Sequence, residues 1–188
     1  ERRCFEALLK SLPSDSTNIY TDGSSFGNPG PAGSGVFITD PEGAETTGSY
    51  YLGIATNAYA EVHAILMATR VLLGVVDDRP VHIFVDNRQA INVATGRNGG
   101  WWCSDVASEI KFNLSVITAT RSVHFFWVPG HAKIPGNERA DDLAKAGARQ
   151  EGKEAPPVSS ARYARSICDW GYESYTEAEG ETSASEAD

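Results

Sequence analysis

Four acidic side chains sit where their neighbours are apolar. In IYTDGSS, residues 19–25, Asp22 closes a β-prone run. In VHIFVDN, residues 81–87, Asp86 closes a near-continuous apolar run of the kind found in strands buried on both faces. Glu61 shares a helical line with Ala64, Ile65 and Ala68, which turns its carboxylate inward rather than to solvent. Asp141 stacks above Ala144 and Ala148 on a later helix. Ligands of α/β sheets gather beyond the carboxyl ends of strands. If the strands ending at Asp22 and Asp86 are parallel neighbours, about 4.8 Å apart, both carboxylates reach one ion. Four bare acids turned inward would repel one another and resist burial. Hard divalent cations relieve that cost, and an all-oxygen donor set suits Mg2+ or Mn2+. Taken singly, each acid has a plainer reading: a turn at Asp22-Gly23-Ser24, a surface acid at Glu61, a helix cap at Asp86-Asn87, a solvated pair at Asp141-Asp142. Their coincidence in one chain is what points to a metal centre.

The elements that must bring these residues together alternate in type. NIYTD reads as a strand, and SSFGNPGPAG as a loop punctuated by glycine and proline. AGSGVFITD and ETTGSYYLG, separated by DPEGA, complete a three-strand antiparallel meander. Residues 58–74 carry helical spacing, residues 81–87 a strand, and QAINVATG a short helix. RNGGWWCSD then leads into a helix over roughly 104–119. SVHFFWV, residues 122–128, is another buried strand, and a helix covers 137–149. The order is that of an α/β domain spanning residues 17–150. Residues 1–16 read as a linker or extension. Residues 151–188 read as a Pro-Pro linker, a segment able to form a short amphipathic helix, and an acidic tail too poor in apolar residues to fold.

The 188 residues, 41% of them hydrophobic, can bury one sizeable core. The net charge of −9 is uneven: residues 17–150 hold 10 Lys/Arg against 13 Asp/Glu, and residues 151–188 hold 3 against 9. With four acids of the body taken up by metal, the remainder there is close to neutral, so a polyanionic ligand is neither excluded nor recommended. The three cysteines, Cys4, Cys103 and Cys168, form neither a disulfide framework nor a zinc spacing. No apolar run approaches the roughly 18 residues of a membrane span, and no signal peptide is visible. These features lead us to expect a protein inside the cell, in nucleus or cytoplasm, not secreted and not in a membrane.

YTDGSSFGNPGPAGSG, TNAYAE, FVDN and WVPGHAKIPGNERADDLAKAGA occur in that order, and on them the chain resembles the type 1 ribonuclease H family from about Asn18 to Arg149. The resemblance implies a ribonuclease H-like fold, a five-stranded mixed sheet of three antiparallel then two parallel strands flanked by helices. It implies a metal-dependent endonuclease that hydrolyses the RNA strand of RNA/DNA hybrids. Its catalytic and metal-binding quartet falls on Asp22, Glu61, Asp86 and Asp141, with two Mg2+ ions that Mn2+ can replace. Asp22 would bridge the ions, Glu61 and Asp86 completing one shell and Asp141 the other. His131, in a loop flanked by glycine and proline, would shuttle a proton or help product leave. For substrate binding, Gly23 and Ser24 would offer backbone groups to the RNA. Asn28 and Asn57 match positions that contact the minor groove, and Thr56 one that binds a DNA phosphate. Trp101, with Trp102, falls near the family's aromatic against DNA sugars, or belongs to the core. His63, His82 and His124 read as structural.

The chain also departs from the family. Only 44 residues separate Asp86 from His131, with four basic ones among them: Arg88, Arg97, Lys111 and Arg121. A Lys/Arg-rich protrusion that grips the hybrid in cellular relatives is missing, which predicts weak affinity for an isolated hybrid. Ala58 and Arg88 stand where amides are common. The compact form and Pro-linked tail resemble the ribonuclease H segment of a non-LTR retrotransposon polyprotein. There a reverse transcriptase domain would hold the hybrid while the RNA template is removed after first-strand synthesis; the isolated domain would be a monomer. Two other readings compete. A catalytically silent ribonuclease H-like binding module would have lost members of the quartet. A DNA nuclease on the same fold, such as a transposase or resolvase, fits GNPGPAG and TNAYAE poorly.

Overall fold

The sheet grows outward from β1 (Thr17–Ser25). On one side β1 pairs antiparallel with β2 (Gly30–Thr39), which pairs antiparallel with β3 (Glu45–Ala55). On the other it pairs parallel with β4 (Val81–Val85), which pairs parallel with β5 (Val123–Trp127). The order β3-β2-β1-β4-β5 is the expected ribonuclease H-like mixed sheet. The structure, a computed structural model, describes residues 2–97 and 101–150, Trp101 by its backbone alone. The linker, short helix and acidic tail expected over 151–188 lie outside the described residues.

Among the described residues five α-helices flank the sheet: α1 (Arg2–Ser11), α2 (Asn57–Leu73), α3 (Arg88–Ala94), α4 (Ser104–Ile117) and α5 (Pro135–Ala148). α2 is buried along most of its circumference because it lies between the sheet and α4. Its start is set by Thr56, whose side chain accepts from the Tyr59 N–H. α5 packs on β1 and β2, close enough that a Cβ on Gly35 would overlap the Ala140 carbonyl. Glycine at 35 is what lets the helix, and Asp141 with it, approach the sheet. On this side Phe5, Tyr20, Phe37, Phe84, Ile134 and Ala140 form a ring-rich core, with Tyr20 and Phe84 stacked at 4.8 Å. Among the described residues no helix is long and apolar enough to cross a membrane.

Four details differ from the sequence reading. Residues 2–11, read as linker or extension, form α1, whose Phe5 is buried edge-on against Phe84 at 5.4 Å. Phe5, Leu8, Leu9 and Leu12 follow the i, i+3, i+4, i+7 pattern, masked by the charges between them. Asp22 does not end its strand. The parallel ladder stops at Thr21 opposite Val85, but the antiparallel one continues through Gly23–Ser34, Ser24–Gly33 and Ser25–Ala32. For the same reason SSFGNPGPAG is mostly strand, with only residues 26–29 turning between β1 and β2. Finally, β5 is the sheet edge and only half-buried, with His124 exposed.

Candidate active site

Asp22 leaves β1 on the face of Tyr20, by strand alternation, at the level where β4 gives out. Its Oδ1 accepts from the Gly23 N–H at 2.8 Å, and the residue is buried. Glu61 comes from the second turn of α2, brought in by Gly23: a Cβ there would overlap the backbone at Ala60 and Glu61. Asp86 follows β4 directly. The Trp127 indole N–H donates to its carbonyl at 2.9 Å, and the Asn137 amide donates to its Oδ2 at 3.2 Å. One carboxylate oxygen from each of Asp22, Glu61 and Asp86 lies within 4.8 Å of the others. Asp141, on α5, faces Asp22 and is paired with Lys145 Nζ at 2.6 Å.

The electrostatics are those of buried carboxylates crowded together. Burial pushes the Asp22 carboxyl up to about 8, helped by the charges of Asp86 and Asp141. Glu61 is raised well above the usual carboxylate range, by burial first and then by Asp22 and Asp86, while a hydrogen bond from the Asn87 side chain opposes the rise. Asp86 is raised by burial, against which Asn137 and the nearby His131 act. Glu61 Oε2 is buried with no hydrogen-bond partner. A buried carboxylate oxygen left unpaired carries a penalty that native structures avoid unless an ion or water completes it. The donor set is wholly carboxylate oxygen, so hard divalent cations fit these residues.

The remaining predicted residues are spread around this cluster and beyond it. His131 is exposed in the loop over Asp86 and holds a left-handed backbone (φ 54°), as does Lys133 (φ 56°). Ser24 lies in the last residues of β1, and Asn28, Thr56 and Asn57 lie in the loop after it and at the start of α2. Asn28 Oδ1 accepts from the Asn57 N–H at 3.1 Å, tying the loop between β1 and β2 to the start of α2. Gly23 is turned inward, its N–H held by the carboxylates it was expected to leave for RNA. The side chain of Trp101 lies outside the described residues. His63 bonds Ser34 Oγ at 2.9 Å, and His82 is buried among the rings of Phe84 and Phe126.

Sequence reasoning missed three residues. Asn87 caps α3 through Oδ1, bonding the N–H groups of Gln89 and Ala90, and also serves Glu61. Asn137 is buried, and its Oδ1 has no partner. Lys145 lies one helical turn beyond Asp141, and that i, i+4 spacing was the available signal. For the two asparagines there was none, because an amide beside a carboxylate reads as cap or turn.

The RNase H family model matches residues 14–149. The ribonuclease H of Nitratidesulfovibrio vulgaris is 34% identical over 153 residues, covering 76% of this chain and 96% of its own length. That of Ruegeria pomeroyi is 36% identical over 143 residues, covering 68% and 89%. Among solved structures, LC11-RNase H1 in complex with RNA/DNA hybrid is 30% identical with a TM-score of 0.57, covering 70% of this chain and 96% of that one.

Proposed function

The chain belongs to the RNase H family, a ribonuclease H by its matching relatives and its acidic cluster, and we propose that it hydrolyses the RNA strand of RNA/DNA hybrids. The observation that carries this reading is the convergence of Asp22, Glu61 and Asp86 around one point, with a buried Glu61 oxygen unpaired. With Asp141 they would hold two Mg2+ ions, or Mn2+ in their place. Bound there, such ions supply an activated water and stabilise charge on the departing 3′-oxygen.

The protein's own part is to hold and orient. Asn137 and Asn87 keep two carboxylates turned to the common point by donating to them. Asp22, which interacts with both Glu61 and Asp141, would serve both ions. The exposed His131 imidazole, within electrostatic reach of Asp86, is placed to carry a proton at the rim. Ser24, Asn28, Thr56 and Asn57 offer polar groups where the shallow minor groove of a hybrid, with its 2′-hydroxyls, would lie. A setting in a retroelement, removing RNA template beside a reverse transcriptase domain in nucleus or cytoplasm, is supported by the few basic residues between Asp86 and His131.

The test is cleavage of labelled RNA/DNA hybrid, duplex DNA and duplex RNA, each with Mg2+, with Mn2+ and with chelator. Metal-dependent cutting of the hybrid alone, lost in Asp86→Asn, is the expected result. Binding without cutting would make the domain a silent module, and cutting of duplex DNA would make it a different nuclease.

A further inference from the structure

The fourth acid is held differently from the other three. Asp141 stands outside the group of oxygens that Asp22, Glu61 and Asp86 bring within 4.8 Å. Its Oδ2 is instead engaged at 2.6 Å by Lys145 Nζ, whose side chain is 40% exposed against 19% for Asp141. The ammonium also feels the charges of Asp142 and, more weakly, Asp22, so its field reaches the cluster through the Asp141 side. Asp141 and Asp22 meanwhile lie within hydrogen-bonding reach of one another. A single positive charge thus already borders the edge of the site where the second ion would be bound.

We propose that Lys145 is a tethered cation that competes with the divalent ion on the Asp22–Asp141 flank. It is a positioning residue for Asp141: it keeps that carboxylate occupied until an incoming ion displaces the ammonium. The inference rests on the metal-dependent reading of the site. It predicts unequal ions, one held by the three clustered acids and a weaker one whose entry breaks an ion pair. An ordinary i, i+4 pair on a solvated helix face would have no such effect on metal binding.

The experiment is Mn2+ titration of the metal-free full chain without nucleic acid, following the electron paramagnetic resonance signal of the free ion. Lys145→Met should raise the weaker association constant about fivefold, the ratio set by an ion pair at the top of its usual partly exposed range. Lys145→Gln should give the same gain, and Lys145→Arg, which keeps the charge, should bind like the parent. In an Asp141→Asn background the gain should vanish. Unchanged constants in both neutral variants, or an equal gain with Asp141→Asn already present, would overturn the proposal. Because ion occupancy is read without substrate, hybrid cleavage in the same preparations tests the functional reading separately.

Discussion

Replacing Asp22 by Asn should make the metal-free protein more stable while destroying its activity. Burial, helped by the neighbouring acids, pushes the Asp22 carboxyl up to about 8 in the folded protein, against 3.8 for the free side chain. Its folded pKa therefore lies above the unfolded one. Between roughly pH 4 and pH 8 the native state keeps a proton that the unfolded chain releases, and stability falls as pH rises through that window. At pH 7 the group stands about three pH units above its unfolded pKa, each worth about 1.4 kcal/mol, which sets a ceiling near 4 kcal/mol. Part of that strain is shared with Asp86 and Asp141, so a gain of about 2–4 kcal/mol is expected. Asparagine keeps the shape and the Oδ1 acceptor for the Gly23 N–H, so packing should not confound the result. Urea unfolding in chelator at pH 7 should show the variant ahead by that margin. Near pH 4 the advantage should have shrunk to roughly half a kcal/mol, since the unfolded chain then releases the Asp22 proton only in part. Mg2+ at pH 7 should stabilise the parent and not the variant. A variant no more stable than the parent in chelator, or one whose advantage is undiminished at pH 4, would refute the argument.

Asn137→Ala should leave the domain folded but raise the Mg2+ concentration for half-maximal cleavage several-fold, because Asp86 Oδ2 loses its donor; a calorimetric Mg2+ titration checks this. Gly23→Ala forces a methyl group into the α2 backbone and should cost about 2–4 kcal/mol in denaturant unfolding, together with cleavage. His131→Ala should lower kcat about a hundredfold with Mg2+ binding unchanged, read from steady-state kinetics beside the same titration. Affinity of the isolated protein for hybrid should be weak and fall with added salt; nanomolar, salt-insensitive binding in a fluorescence assay would contradict that expectation.

Much of this fold was legible because its signals are local. VHIFV is apolar throughout and is buried at every position. The small-residue line Ala60, Ala64 and Ala68 predicted the inner face of α2 and carried Glu61 with it. Three of the four acids converge, and the fourth lies beside Asp22. What escaped depended on partners distant in sequence. No periodicity in β1 shows that β4 stops opposite Thr21 while β2 continues to Ser25. The roles of Asn87 and Asn137 exist only once Glu61 and Asp86 are in place, since the same amides cap helices elsewhere. α1 was overlooked for another reason: its apolar residues are spread among charges, and only Phe84 shows what Phe5 is for.

That helix changes where the working unit must be cut. A fragment opened at Thr17, as composition suggests, would strip the cover from Phe84, two positions before Asp86, and leave a ring stack in water. A piece that keeps α1 would be expected to stay in solution better than one cut at Thr17, and the shorter excision to lose solubility before it lost any of the clustered acids.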